Sequence, residues 1–130
     1  MKSKEENPGK LTILVIDDEP SLLEGIKCFL ESNQYAVLTA SNGLAGISII
    51  GDKKIDLVVT DIIMPEMDGM ELISYLKKSN PEIHIISMSG GGRFQQEFYS
   101  EVAAMLGIDA FLKKPFTTQM LLSTIKQVSG

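Results

Sequence analysis

Apolar and polar positions follow two alternating patterns along this chain, one typical of buried strands and the other of amphipathic helices. Short apolar runs rich in β-branched residues predict five strands, over residues 11–16, 35–40, 55–60, 83–88 and 110–113. Between and after them, apolar residues recur at helical spacing, which predicts five helices, over about 20–31, 44–50, 69–79, 94–106 and 118–128. The pattern is therefore a strand followed by a helix, repeated along the whole chain.

Strict alternation of strands and helices favours a parallel sheet that is covered by helices on both faces. With right-handed crossovers and a strand order of 2-1-3-4-5, the α/β fold would be a flavodoxin-like (βα)5 three-layer sandwich. In this order the chain reverses direction across the sheet between strands one and three. Open sheets of this kind bind ligands at the carboxyl ends of their strands beside such a reversal, so we expect a site near residues 17–18 and 61.

Composition and charge narrow the class of protein. The 130 residues, 44% of them hydrophobic and 22% charged, predict a single globular domain over 11–130 behind a polar tail over 1–10. No apolar run suits a membrane span or a secretory signal, which favours the cytoplasm. The net charge of −5, with no long basic run, argues against direct binding to nucleic acid. The single cysteine, Cys28, is expected to be a partly buried helix residue without a nucleophilic role.

Three carboxylates follow the strands that border the reversal. Asp17 and Asp18 come after the first strand, and Asp61 comes after the third. Like charges brought together need a compensating cation, and carboxylate oxygens are ligands that Mg²⁺ prefers. The alternative is that one acid caps a helix while the others are solvated in loops. The only histidine, His84, begins the fourth strand at the opposite end of the sheet, so we expect a structural or partly exposed role for it.

Two further strand ends carry groups that suit a phosphoryl ligand. Ser89 would place a hydroxyl at the end of the fourth strand, and Lys114 would place an ammonium at the end of the fifth. A lysine directed at a phosphoryl oxygen would leave Asp61 free to act as a nucleophile and form an aspartyl phosphate. The alternative for Lys114 is an exposed lysine before the last helix. Ser87 is a rival to Ser89, which we prefer because Ser87 should lie deeper in the sheet.

These residues, in this order, resemble the receiver (CheY-like) domain of two-component response regulators. The resemblance covers roughly residues 11–128. It is carried by an ordered set of motifs, each at a strand end: Asp17-Asp18, Asp61 with Met64-Pro65 and Asp68-Gly69 behind it, Ser89-Gly90, and Lys114-Pro115-Phe116. None of these motifs is specific alone, whereas the complete set in this order is typical of the family.

The resemblance implies phosphorelay signalling. Asp61 would accept a phosphoryl group from a phosphohistidine on a sensor histidine kinase or a histidine phosphotransfer protein. Mg²⁺, or Mn²⁺ in its place, would be held by Asp18 and Asp61 directly, by Asp17 through water, and by the backbone carbonyl of Ile63. The domain would assist its own phosphorylation and dephosphorylation as a signalling module and would not turn over a substrate as an enzyme does.

The resemblance also implies a switch and a surface that responds to it. Ser89 would be the switch hydroxyl, Phe111 the aromatic switch and Lys114 the lysine of the site. The surface formed by the fourth helix, fifth strand and fifth helix would change shape for a downstream protein partner. The domain would be a monomer or a weak homodimer. Since the chain ends soon after the last helix, we expect a stand-alone receiver, although a domain excised from a larger regulator would look the same.

Some features depart from the family pattern. The segment after Ser89 is a few residues longer than expected, and its glycines at 90–92 predict a mobile loop. Phe111 lacks a hydroxyl, so its switching would depend on packing. Ile63 has no polar side chain with which to position an attacking water, which predicts a long-lived phosphoryl group.

Two other functions compete with phosphorelay signalling. A Mg²⁺-dependent phosphohydrolase with an aspartyl nucleophile would need an Asp-x-Asp arrangement, whereas Asp17 and Asp18 are adjacent. A phosphorylation-independent, receiver-like scaffold for protein interactions is supported only by the altered loop.

Overall fold

The computed structural model describes residues 10–61, 69–89, 104 and 107–130, with the backbone alone at residues 69, 70 and 89. Its strands are β1 (Thr12–Ile16), β2 (Ala36–Ala40), β3 (Leu57–Asp61), β4 (His84–Ser89) and β5 (Ala110–Lys113). Its helices are α1 (Pro20–Glu31), α2 (Gly43–Asp52), α3 (Gly69–Ser79) and a C-terminal helix (Thr118–Ser129). The helix predicted over 94–106, the loop after Ser89 and the motif residues 62–68 lie outside the described residues, apart from one helical position at 104.

The strands form one parallel sheet in the order β2-β1-β3-β4-β5, which confirms the predicted topology. In the register of the central strands, Ile16 of β1 lies opposite Thr60 of β3, and Asp61 lies opposite Met88 of β4. The carboxyl ends of these strands therefore meet at one edge of the sheet. The predicted third strand began two residues too early, and the observed strand includes Asp61 as its last residue.

Helix starts follow from local capping chemistry. Pro20 lies in the first turn of α1, where its missing N–H costs nothing. The side chain of Asn42 caps α2 by accepting a hydrogen bond from the backbone N–H of Ala45 at 2.8 Å. Thr117 caps the C-terminal helix in the same way, with its Oγ1 3.0 Å from the N of Met120.

Two apolar clusters, one on each face of the sheet, hold the three layers together. The first joins the sheet to α1 and the C-terminal helix, and its buried members are Ile13, Val15, Leu23, Ile26, Leu30, Val37, Leu57, Val59, Ile86, Met88, Leu112, Leu121 and Ile125. The second joins the sheet to α2 and α3, and its buried members are Leu14, Ile16, Ala40, Ile55, Val58, Leu72, Ile73, Leu76, Ile83 and Ile85. Alternate residues of each strand enter opposite clusters, which is the period of a β-strand. The predicted three-layer sandwich is confirmed.

Helix α2 approaches the sheet closely at one position. A Cβ atom added to Gly46 would lie 2.6 Å from Cδ1 of Ile16, the last residue of β1. At Gly51, in the same helix, a Cβ atom would meet nothing within 4 Å. The glycine at 46 therefore permits a packing distance that a larger residue would allow only if the side chain of Ile16 shifted.

The expectation that Cys28 is partly buried is wrong, because its side chain is exposed. The buried residues of α1 are Leu23, Ile26 and Leu30, and Cys28 lies two positions from the nearer two of them. Two positions correspond to about 200° around a helix, so the thiol points away from the sheet.

Among the helices that the structure describes, none combines the length and apolar character that crossing a membrane requires.

Candidate functional site

Asp17 and Asp18 follow β1 directly but have different surroundings. Asp17 is fully buried, whereas Asp18 is exposed. Asp17 is fixed on both sides, since its backbone N–H donates to the carbonyl of Ala40 at 3.2 Å and its Oδ1 accepts from the N–H of Glu19 at 2.9 Å. One carboxylate is therefore held rigidly beneath the surface while its neighbour remains open to solvent.

Asp61 is the last residue of β3 and lies beside this acid pair. Only 8% of the residue is exposed. Its backbone carbonyl accepts a hydrogen bond from the hydroxyl of Thr60 at 3.0 Å. A carboxylate on a rigid strand end, with limited solvent access, has its orientation fixed by the sheet.

Lys114 crosses from the end of β5 to both buried acids. Its Nζ lies 2.6 Å from Oδ2 of Asp17 and 3.0 Å from Oδ2 of Asp61. Burial by itself lowers the pKa of Lys114, but the hydrogen bonds and charges of Asp17 and Asp61 outweigh it, so the pKa lies above its ordinary value of 10.5. The ammonium is therefore charged at neutral pH. Its contribution to stability is present below pH 10.5 and is lost only as the pH rises through the raised pKa.

The acid cluster also fits a hard divalent cation. One oxygen from each of Asp17, Asp18 and Asp61 can be chosen so that all three lie within 4.8 Å of one another. The donors are all carboxylate oxygens, which suits Mg²⁺ or Mn²⁺. One ammonium among three carboxylates leaves an excess of negative charge that a cation would neutralise. The residues present therefore fit a divalent metal ion.

The remaining candidate residues lie on β4, on β5 or outside the described residues. Ser89 is the last residue of β4 and lies opposite Lys113 in the register, so its backbone is at the same edge of the sheet as the acids. Phe111 is half-buried in β5. Ile63 lies outside the described residues. His84 begins β4 at the opposite end of the sheet, with Nδ1 3.6 Å from Oδ2 of Asp109, in agreement with the expectation of a partly exposed role.

Sequence reasoning missed the roles of two other aspartates and one property of Ser87. Asp56 Oδ2 accepts from the N–H of Thr12, and Asp109 Oδ2 accepts from the N–H of Ile85, both at 2.8 Å. Their position just before a strand was a usable signal for this role. Ser87 lies deep in the sheet, as expected, but no sequence pattern indicated that its Oγ would have no hydrogen-bond partner among the described residues.

Comparison with known proteins assigns the family. Residues 13–126 match the family model described as the response regulator receiver domain. The transcriptional regulatory protein GlrR of Escherichia coli (strain K12) is 34% identical over 113 residues, which are 87% of this chain and 25% of that protein. The chain thus spans a quarter of the length of that relative.

Solved structures agree with this assignment. A response regulator receiver domain protein from Clostridium thermocellum is 36% identical, with a TM-score of 0.82 over 91% of this chain and 93% of that one. The response regulator protein TrrA from Thermotoga maritima, in complex with Mg(2+)-BeF, is 28% identical, with a TM-score of 0.79 over 91% of this chain and 98% of that one. With its parallel sheet, its strand-end acids and its match over nearly the whole length, the chain belongs to the family of response regulator receiver domains.

Proposed function

We propose that this chain is a phosphoacceptor in a phosphorelay, and that Asp61 receives the phosphoryl group from a phosphohistidine. The observation that carries the proposal is the position of Lys114, whose ammonium lies 3.0 Å from Oδ2 of Asp61 and 2.6 Å from Oδ2 of Asp17. A carboxylate of Asp61 would attack phosphorus as the phosphorus–nitrogen bond breaks. The imidazole would leave with the bonding electrons and take a proton from solvent.

The surroundings of Asp61 support this role. Its backbone is held at the end of a central strand, and a fixed ammonium beside it can pair with a phosphoryl oxygen as negative charge is redistributed in the transition state. Asp17, Asp18, Asp61 and the backbone carbonyl of Ile63 would hold Mg²⁺ or Mn²⁺. The metal would supply neutralising charge to the phosphoryl oxygens.

The switch belongs to the same proposal. Ser89 would approach the phosphoryl group from the end of β4, and Phe111 would change its packing in β5. The surface of the helix predicted over 94–106, β5 and the C-terminal helix would then bind a downstream protein. The donor would be a sensor histidine kinase or a histidine phosphotransfer protein in the cytoplasm, and the receiver itself would be a monomer or a weak homodimer.

Intact mass after incubation with phosphoramidate or acetyl phosphate tests the proposal. The wild type with Mg²⁺ should gain one phosphoryl group, whereas Asp61→Asn and an EDTA-treated sample should gain none. The variant Asp52→Asn, at an exposed acid near the end of α2, is the matched control and should be phosphorylated like the wild type. A folded wild type that gains no phosphoryl group in excess Mg²⁺ would favour the phosphorylation-independent scaffold.

The lifetime of the phosphoryl group follows from the residue two positions after Asp61. The side chain of Ile63 cannot hydrogen-bond to water, so we expect slow hydrolysis. The decay of the phosphorylated mass after removal of the donor measures this rate. A half-life of seconds would contradict the expectation, and Ile63→Asn or Ile63→Glu should shorten the lifetime if the missing polar group is the cause.

A further inference from the structure

Ser87 carries a buried hydroxyl that no described residue pairs with. The residue lies within β4, is fully buried, and its Oγ has no hydrogen-bond partner among the described residues. Buried hydroxyls almost always have a partner, since an unmade hydrogen bond in the interior destabilises the state that contains it. This conformation of the domain therefore includes an unfavourable feature at a specific point of the sheet.

The neighbours of Ser87 connect it to the phosphoacceptor. In the register, Ser87 lies directly opposite Thr60 of β3 on one side and Phe111 of β5 on the other. Paired positions of neighbouring strands, about 4.8 Å apart, point to the same face of a sheet. Thr60 is also fully buried, and its hydroxyl donates to the carbonyl of Asp61 at 3.0 Å. Because that bond uses the hydrogen of Thr60, the oxygen of Thr60 can still accept another.

We propose that Ser87 is a positioning residue whose hydroxyl donates to Thr60 when Asp61 carries a phosphoryl group, and which thereby favours the phosphorylated conformation. The inference rests on the proposed function of Asp61. The resulting chain of hydrogen bonds would run from Ser87 through Thr60 to the backbone of Asp61. It would couple the middle of β4 to the strand that holds the phosphoryl group.

The direction of the effect follows from the position of Ser89. Ser89 ends the same strand two residues after Ser87, at the edge of the sheet where the acids lie. When the end of β4 moves toward a phosphoryl group on Asp61, it carries Ser87 toward β3 and shortens its separation from Thr60. A group that is unpaired in one conformation and paired in the other shifts the equilibrium toward the second by the free energy of that pairing.

Thermal unfolding of the full chain, with and without Mg²⁺ and beryllofluoride as the phosphoryl mimic, tests the proposal. In the absence of beryllofluoride, Ser87→Ala should have a Tm equal to or above that of the wild type, since it removes an unpaired group. The rise in Tm that beryllofluoride causes should be about 2–5 °C smaller in Ser87→Ala than in the wild type. Beryllofluoride should also bind to the variant about threefold to tenfold more weakly. Ser87→Cys, which keeps the volume but hydrogen-bonds weakly, should show the same reduced response.

Thr60→Val tests whether Ser87 acts through a hydrogen bond to Thr60 or through its packing in the sheet. It should weaken the response to beryllofluoride as Ser87→Ala does, and the double variant should lose no more than the larger single loss, because both changes remove the same bond. Ser41→Ala, at an exposed serine, is the control and should respond like the wild type.

Each opposite result overturns the inference. A lowered Tm of Ser87→Ala without beryllofluoride would show that the hydroxyl already has a partner in that state. A full response of Ser87→Ala, where the wild type also responds, would show that pairing does not accompany phosphorylation. No response of the folded wild type would instead overturn the proposed function, and with it this inference.

Discussion

The two ends of the sheet use the same residue type in different ways. At the carboxyl end, the ammonium of Lys114 compensates the negative charges of Asp17 and Asp61. At the amino end, Asp56 and Asp109 each accept a hydrogen bond from the backbone N–H of a strand residue, Thr12 and Ile85 respectively. The first arrangement depends on a cation, whereas in the second each carboxylate is bonded to the backbone of a strand.

This difference separates the acids that the proposed function makes reactive from those that serve the fold. An ammonium on a four-carbon stem can move to a phosphoryl oxygen, and a divalent cation can supply the charge that it no longer provides. A backbone N–H at the start of a strand cannot move without disrupting the ladder. The acids at the carboxyl end are therefore available for chemistry, whereas those at the amino end are committed to the fold.

The largest expected effect is a difference in phosphorylation rate between variants of lysines at the two ends of the sheet. Lys114→Ala should slow phosphorylation of Asp61 by phosphoramidate by about 100-fold or more, because it removes the ammonium that stabilises charge on the transferred group. Lys54→Ala is the matched control, since Nζ of Lys54 lies 3.9 Å from Asp56 at the amino end. It should leave the rate unchanged. Equal rates in Lys114→Ala and the wild type, measured by intact mass against time, would contradict a role for the lysine.

The sequence indicated the carboxyl end of the sheet, whereas for the amino end it offered only the position of two aspartates just before strands. Strand ends could be located from apolar runs, and parallel order then brought Asp17, Asp61 and Lys114 to one edge. The bonds of Asp56 and Asp109 depend on which backbone N–H lies within reach of each carboxylate, which is set by register. A single sequence locates strand ends only to within a few residues, as the misplaced start of β3 shows, and it does not show which residues of neighbouring strands lie opposite each other. The unpaired hydroxyl of Ser87 depends on its neighbours in three dimensions and has no sequence pattern.

The structural role of the amino end predicts a loss of stability without a loss of function. Asp56→Ala leaves the N–H of Thr12 without its acceptor and should lower the free energy of unfolding by about 1–3 kcal/mol. Asp56→Asn keeps an acceptor oxygen and should lose less than half as much. Urea unfolding at pH 7 measures both variants. An unchanged midpoint in Asp56→Ala, or a large drop in the initial phosphorylation rate, would remove the distinction between the two ends.

Metal removal should affect the carboxyl end alone. Because the three acids there repel one another, Mg²⁺ at about ten times its dissociation constant should stabilise the protein by about 1.4 kcal/mol, as ligand binding to the native state requires. Asp18→Asn should abolish most of this gain, whereas Asp52→Asn should keep it. The measurement is Tm in Mg²⁺ against EDTA. A gain that survives in Asp18→Asn would place the metal elsewhere.

The smallest predicted effect uses two glycines of α2 that face different surroundings. Gly46→Ala would push against Ile16, which immediately precedes Asp17, so overpacking should outweigh the better helix propensity of alanine and cost about 1 kcal/mol. Gly51→Ala meets nothing within 4 Å and should gain up to about 1 kcal/mol. Because only the first change would force the side chain of Ile16, the residue before Asp17, to shift, only Gly46→Ala should also weaken Mg²⁺ binding. If Mg²⁺ titrations give the same affinity for both variants, the carboxyl end tolerates small movements of β1, and rigid support of Asp17 is not what makes that end reactive.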